Sequence, residues 1–296
     1  MTRRRTTSVN RETERNRVER ASALAEDLVA SLRITKVPID PLSIVAGEHP
    51  FLVAKGGNLG GLFDGQLEFH RMKERFVLFF NTKYDRESDR HHPRTRFSVG
   101  HELGHFYIPE HRAYLQGGGK SHRSRSEFTA DSGVEREADA FASGLLLPRP
   151  LLRPMVSGRE LTVRLLDKIA GEFQTSRVAS AIRCVETTDQ PCAVFGIRDG
   201  RIAWKRVSEM AIRAGCYPRK EPTLRSSGAR DVWQDFARGL ANEVEKETAL
   251  GSWFETYDRG SLDQVLVTEQ FLPIPVMETL LVLVTMDEDD LFDNED

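Results

Sequence analysis

Cysteine is scarce in this sequence of 296 residues, which contains only three. Cys184, Cys192 and Cys216 are odd in number and include no CxxC pair. This pattern argues against a disulfide framework and against a zinc ribbon, and it is typical of reduced thiols in a cytoplasmic protein.

Long hydrophobic runs and a strong charge imbalance are also missing. No stretch approaches the ~20 consecutive apolar residues of a transmembrane helix. Residues 1–30 contain basic side chains but no apolar segment of a signal peptide. The formal net charge of −3 does not indicate a general nucleic-acid binder. With 39% hydrophobic and 29% charged residues, the chain is expected to be a soluble, cytoplasmic protein of two or three small domains.

The most informative motif that is present is the sequence HELGH at residues 101–105. Residues four apart lie on one face of a helix, so His101 and His105 can bind the same zinc ion. Glu102 lies beside the first ligand, where its carboxylate can take a proton from water and pass it to a leaving amine. The motif predicts metal-assisted peptide hydrolysis, and the alternative is a chance match on a surface helix.

The residues around the motif predict an amphipathic helix from about Thr95 to Ile108. Val99, Leu103 and Phe106 recur at helical spacing. Pro109 is expected to stop the helix. The glycines at positions 100 and 104 are poor helix formers, but they would allow another segment to pack closely.

A catalytic zinc site needs a third protein ligand, and His111 is one candidate. It stands where the pattern HExxHxxGxxH places its third histidine. That pattern turns at a glycine, however, and here the position holds Ile108, a β-branched residue unsuited to positive φ. His111 is therefore the less favoured candidate, and the alternative interpretation is a solvent-facing loop histidine.

The favoured third ligand is Glu135, in a second predicted helix that runs to Leu147. Glu135 and Asp139 are four residues apart and share one face, so Glu135 can bind zinc while Asp139 accepts the other ring N–H of a ligating histidine. Glu137 is rotated by roughly 200° from Glu135 and is expected to point away from the site. The alternative is a solvated acidic helix face.

These motifs resemble those of a known family. HELGH follows the run Thr95–Gly100, and the later segment Glu135–Ala142 closes in Leu-Leu-Leu-Pro at residues 145–148. Together they resemble the ImmA/IrrE family of metallopeptidases, over about residues 35–150. The resemblance implies a regulatory protease that cleaves a helix-turn-helix repressor and so switches on stress or mobile-element genes. The polar segment from Glu110 to Gly133 looks longer than is usual in the family, and we interpret it as a mobile flap or a plain insertion.

The remaining sequence predicts further elements. A helix is expected from roughly Glu12 to Leu32, with Leu24, Leu28 and Leu32 on one face, and strands are expected within residues 60–81.

Residues 161–186 show two helical patterns with the spacing of a helix-turn-helix. The net charge of residues 160–189 is −1, so DNA binding is not expected. From Cys192 onward, short apolar runs indicate a β-containing domain with a helix around residues 231–248.

The expected fold class is α/β. A zincin-like metallopeptidase domain is expected at residues 1–155, a helix-turn-helix-like segment at 156–190, a small α+β domain at 191–286, and an acidic disordered tail at 287–296.

The expected function is that of a zinc-dependent endopeptidase that acts on a protein substrate. In this hypothesis His101, His105 and Glu135 bind Zn²⁺, Glu102 is the general base, and Asp139 supports the ligands. The competing hypothesis is a catalytically idle zincin-fold protein that senses a ligand or holds a partner in a stress or mobile-element regulatory system. Glu102 favours the enzyme, because a purely structural metal site needs no general base.

Overall fold

The computed structural model describes residues 2–85, 91–119, 123–124, 133–257 and 260–292. Within these ranges the chain is a mixed α/β protein, which confirms the predicted fold class. It divides into two compact units, residues 1–151 with 171–176 and residues 152–170 with 177–296. The four-part division expected from the sequence stays a prediction.

The helices and strands follow one another along the chain in this order: α1 (Thr2–Ser31), α2 (Pro41–Gly47), β1 (Leu52–Gly57), β2 (Gly65–His70), β3 (Arg75–Asn81), α3 (Pro93–Tyr107), α4 (Pro109–Gln116), β4 (Arg123–Ser124), α5 (Gly133–Leu146), α6 (Arg149–Val156), α7 (Val163–Phe173), α8 (Arg177–Val185), β5 (Cys192–Arg198), β6 (Arg201–Val207), α9 (Glu209–Arg213), β7 (Tyr217–Pro218), α10 (Ser227–Ala237), β8 (Val244–Ala249), β9 (Phe254–Glu255), β10 (Leu266–Ile274), β11 (Thr279–Thr285) and α11 (Glu288–Phe292).

The first unit contains a sheet with the strand order β1-β3-β2-β4. The predicted strands within residues 60–81 are β2 and β3, which form an antiparallel hairpin with Leu67 opposite Leu78. β1 runs parallel to β3, a pairing that the sequence pattern did not predict. On its other side, β2 pairs with β4, where Gly65 lies opposite Ser124. Gly65, the first residue of β2, also lies against the side chain of Glu102 on α3.

Helix α5 packs closely against both α1 and α3 because small residues lie at the contacts. A Cβ atom added at Gly104 would lie 3.1 Å from the Cα atom of Ala138 on α5. One added at Gly144 would lie only 2.6 Å from the carbonyl oxygen of Ser22 on α1. The close packing predicted for the glycines of the HExxH helix is thus observed, and its partner is the helix that carries Glu135.

The buried face of helix α1 is centred on shorter side chains than the predicted leucines. Ala21, Ala25 and Val29 are buried, and the predicted Leu24 and Leu28 are partly buried against the same core, whereas Leu32 is exposed. Short side chains are what the close approach of α1 to α5 requires.

The second unit contains an antiparallel sheet with the strand order β6-β5-β11-β10-β8. Every residue of the central strand β11 is buried, as the apolar run in the sequence predicts. The predicted helix at residues 231–248 is only partly correct, since α10 ends at Ala237 and residues 244–249 form the edge strand β8. Val244 pairs there with Phe271 of β10, and this long-range pairing overrides the local helical preference.

The structure also shows the segments at residues 161–186 and 288–292, for which the sequence predicted two helices and a disordered tail. The two helices predicted within residues 161–186 are α7 and α8, with Gln174 between them at φ 53°. Residues 288–292, assigned from sequence to the disordered tail, form α11 because Leu291 is buried in the apolar core of the second unit. Residues 293–296 lie outside the described residues.

Across the described ranges, we find no helix with the length and apolarity that crossing a membrane requires.

Candidate metal centre

Helix α3 carries the HExxH residues, and its start is set by local sequence. Pro93 occupies the first turn, where a missing backbone N–H costs nothing, and the Nδ1 atom of His92 accepts a hydrogen bond from the backbone N–H of Arg94. Leu103 on this helix is fully buried. The helix covers residues 93–107, close to the predicted 95–108, so His101 and His105 lie on one buried face.

Three potential ligand atoms converge between α3 and α5. The Nε2 atoms of His101 and His105 are 3.1 Å apart. The carboxylate of Glu135 lies 3.1 Å from Nε2 of His101 and 3.7 Å from Nε2 of His105. Zinc bonds of 2.0–2.1 Å in a tetrahedral site place neighbouring ligand atoms about 3.3 Å apart. The spacing and chemistry of His101, His105 and Glu135 therefore fit a group that can hold a metal ion.

Asp139 lies behind the first histidine. Its Oδ1 atom is 2.8 Å from Nδ1 of His101, so the ring N–H of His101 can donate to the carboxylate while Nε2 faces Glu135. This arrangement fits the supporting role expected for Asp139, which stays a prediction.

The charge around His101 also suits a cation. Burial lowers the pKa of His101, but hydrogen bonds with Asp139 and Glu135 and the nearby charge of Glu102 outweigh it and raise the pKa to about 10. The surrounding carboxylates therefore favour positive charge at this position.

Glu102 is buried and lies beside the beginning of β2. A Cβ atom added at Gly65 would lie 2.7 Å from Oε1 of Glu102 and 2.9 Å from its Cγ. The Asp-Gly sequence at this point reads as an ordinary turn signal. In the structure Gly65 instead allows the strand to approach the carboxylate.

His111 is placed differently from its interpretation as a solvent-facing loop residue. It is buried on α4, and its Nδ1 atom is 3.1 Å from Nδ1 of His105. Pro109 does end α3, but it also occupies the first turn of α4, the other place where helices favour proline. Helix α4 thus carries His111 back toward α3, although His111 is not one of the three converging ligands.

Glu137 lies apart from the three converging ligands, as its rotation from Glu135 predicts. It is buried, with its Oε2 atom 3.3 Å from Nε2 of His111 and its Oε1 atom 3.6 Å from Arg17 on α1. The rotation from Glu135 correctly separates the two carboxylates. The sequence could not show that other helices supply partners on the far side of α5.

The predicted flap at residues 110–133 lies partly outside the described residues, which omit 120–122 and 125–132. Its first part is helical, since α4 covers residues 109–116.

The comparisons with known proteins agree with this geometry. Residues 72–185 match the family model described as IrrE N-terminal-like domain, Peptidase_M78. None of the curated proteins matches the chain. A solved structure described as a Mycobacterium tuberculosis transcriptional regulator has a TM-score of 0.53 at 11% sequence identity, covering 92% of this chain and 77% of that one. At this identity the likeness concerns the fold alone.

The matched range contains HExxH and the carboxylates of α5, the residues on which the ImmA/IrrE resemblance was based. That resemblance is confirmed, and residues 72–185 are an IrrE N-terminal-like domain of the Peptidase_M78 metallopeptidase family.

Proposed function

We propose that this protein is a zinc-dependent endopeptidase. The observation that supports the proposal most directly is the convergence of His101, His105 and Glu135 beside the buried carboxylate of Glu102. Two imidazoles and one carboxylate are a ligand set that peptidases use for catalytic zinc, which leaves a coordination position for water. The match of residues 72–185 to the Peptidase_M78 family supports the same proposal.

Each residue has a distinct task in this proposal. When bound, zinc lowers the pKa of a coordinated water and polarises the scissile carbonyl group. The Glu102 carboxylate takes the proton of the attacking water and delivers it to the leaving nitrogen. Asp139, 2.8 Å from Nδ1 of His101, holds that ring so that Nε2 faces the site.

We further propose that the substrate is a helix-turn-helix repressor and that cleavage takes place in the cytoplasm. The family resemblance supports the choice of substrate, and the fold shared with a solved transcriptional regulator is compatible with it. A restricted substrate also suits a protease that works among intracellular proteins.

The deciding experiment compares metal content and cleavage in the wild type and in Glu102→Gln. We expect about one zinc per chain in both proteins, because Glu102 is not one of the three ligands. Cleavage of purified helix-turn-helix repressors should fall at least about 100-fold in Glu102→Gln, since an amide cannot carry the proton at neutral pH. Glu19→Gln, an exposed carboxylate on α1, is the matched control and should behave like the wild type.

Cleavage by Glu102→Gln at the wild-type rate would reject the general-base role. A wild-type protein that holds zinc but cleaves neither the repressors nor casein would favour the catalytically idle alternative.

A further inference from the structure

A second histidine lies directly behind the candidate metal centre, outside the three converging ligands. The Nδ1 atoms of His105 and His111 are 3.1 Å apart, and Nε2 of His111 is 3.3 Å from Oε2 of Glu137. All three side chains are buried. They form a continuous line of polar atoms that leads away from the metal centre and ends at Arg17, 3.6 Å from Glu137.

The positions of the nitrogen atoms determine which ones carry protons. Nε2 of His105 lies among the converging ligand atoms, so its lone pair must be available there and its proton must be on Nδ1. In its contact with His111 that N–H is the donor, so Nδ1 of His111 must accept. The proton of a neutral His111 is then on Nε2, where Glu137 accepts it. One arrangement of protons satisfies every contact in the line.

We propose that His111 is a positioning residue for His105: supported by Glu137, it accepts the ring N–H of His105 and so orients Nε2 toward the metal. The inference rests on the proposed zinc-binding function. It gives each histidine ligand its own hydrogen-bond partner, Asp139 for His101 and His111 for His105.

The choice of a histidine here has an electrostatic reason. Glu102, Glu135 and Asp139 already lie around His101, and Glu135 also lies 3.7 Å from Nε2 of His105. A further carboxylate in contact with His105 would add another negative charge beside two buried histidines. A neutral imidazole supplies the acceptor atom without that charge. The negative charge of Glu137 is held one residue further away and lies beside Arg17.

The test measures zinc affinity by competition with a chromophoric chelator, using the full chain. His111→Ala and His111→Leu remove the acceptor, and zinc should bind about tenfold more weakly, the low end of the 10–100-fold that losing the partner of a ligand costs. The loss of zinc affinity in Asp139→Ala, which removes a charged partner, should be larger and lie higher in that range. His111→Asn restores affinity to within about threefold of the wild type, because its Oδ1 atom can take the place of Nδ1.

Two comparisons separate positioning from simple packing. Leucine nearly matches the volume of histidine but cannot accept a hydrogen bond, whereas asparagine is smaller and can. If His111→Ala does not fold, the pair of Leu and Asn variants still decides the question. His70→Ala, at an exposed histidine at the end of β2, is the control for general loss of imidazole and should bind zinc like the wild type.

Zinc affinity in His111→Leu equal to that of the wild type would overturn the inference, as would an Asn variant as weak as the Leu variant. Either result leaves the proposed peptidase function standing if the wild type holds zinc and cleaves its substrate. Conversely, a wild type that binds zinc without cleaving anything rejects the proposed function, and the graded affinities still support the role of His111.

Discussion

The two units of the chain fill their interiors with different chemistry. In the second unit, β11 is buried along its whole length, and its residues Leu280–Val284 are all apolar. In the first unit, the buried face of α3 carries His101, Glu102 and His105, and the neighbouring helices add further charged groups. Burying ionisable groups is costly unless they are paired or bind a metal. The polar interior of the first unit is therefore what the proposed metal site requires, and burial of apolar surface does not call for it.

The second unit also buries a carboxylate, and the comparison shows how a structural group differs from a ligand. Glu269 is fully buried, and its Oε1 atom accepts a hydrogen bond from the ring N–H of Trp253 at 2.6 Å. Burial raises the pKa of Glu269, while hydrogen bonds from Ser226 and Trp253 partly offset that rise. Its described partners are donors, whereas Glu135 meets two imidazole nitrogens whose lone pairs can converge on one cation.

The largest effect is expected from a substitution in the apolar interior. Phe271→Ala should destabilise the second unit by about 3–5 kcal/mol, because a fully buried aromatic ring is replaced by a cavity. Urea unfolding measures the change, with Leu266→Ala, a residue 61% exposed on the same strand, as the nearly silent control. The folded variant should still hold one zinc, and loss of the metal would show that the two interiors are not separable.

A substitution in the polar interior should lower zinc affinity and leave the free energy of unfolding nearly unchanged. Glu135→Gln should weaken zinc binding more than 100-fold, because a neutral amide replaces the negatively charged ligand. This loss exceeds the 10–100-fold expected when only the hydrogen-bond partner of a ligand is removed. Stability measured with excess chelator should change little, since the Glu135 side chain is partly exposed. Metal titration beside Glu19→Gln checks this prediction, and zinc binding at wild-type strength would remove Glu135 from the site.

The smallest of these effects concerns Gly65. Gly65→Ala should lower kcat by up to about 100-fold while zinc stays bound, because the new methyl group would displace the Glu102 carboxylate, whose Oε1 atom would be 2.7 Å away. Gly61→Ala is the matched control, since a Cβ atom there meets nothing within 4 Å. Equal cleavage rates in the two variants would mean that Glu102 can shift without consequence.

Prediction from sequence succeeded where the signal was local. The helices that carry HExxH and Glu135 were placed to within a few residues, because apolar residues at helical spacing mark the buried face of each helix. The segment at residues 244–249 shows the limit. It was assigned to a helix, but its pairing with β10 makes it a strand. Its partner residues lie 17 (Ala249 with Leu266) to 27 (Val244 with Phe271) positions further along the chain, beyond the reach of a local pattern.

By itself, the sequence determined that His101 and His105 share one helical face, that Glu135 and Asp139 share another, and that both helices are buried. These features depend on the 3.6-residue period of the helix, which any short segment carries within it. Only the tertiary structure decided that Gly65 lies against Glu102 and that His111 lies between His105 and Glu137. Those contacts join residues from separate elements, and their distances depend on how closely small residues let the helices and the strand approach.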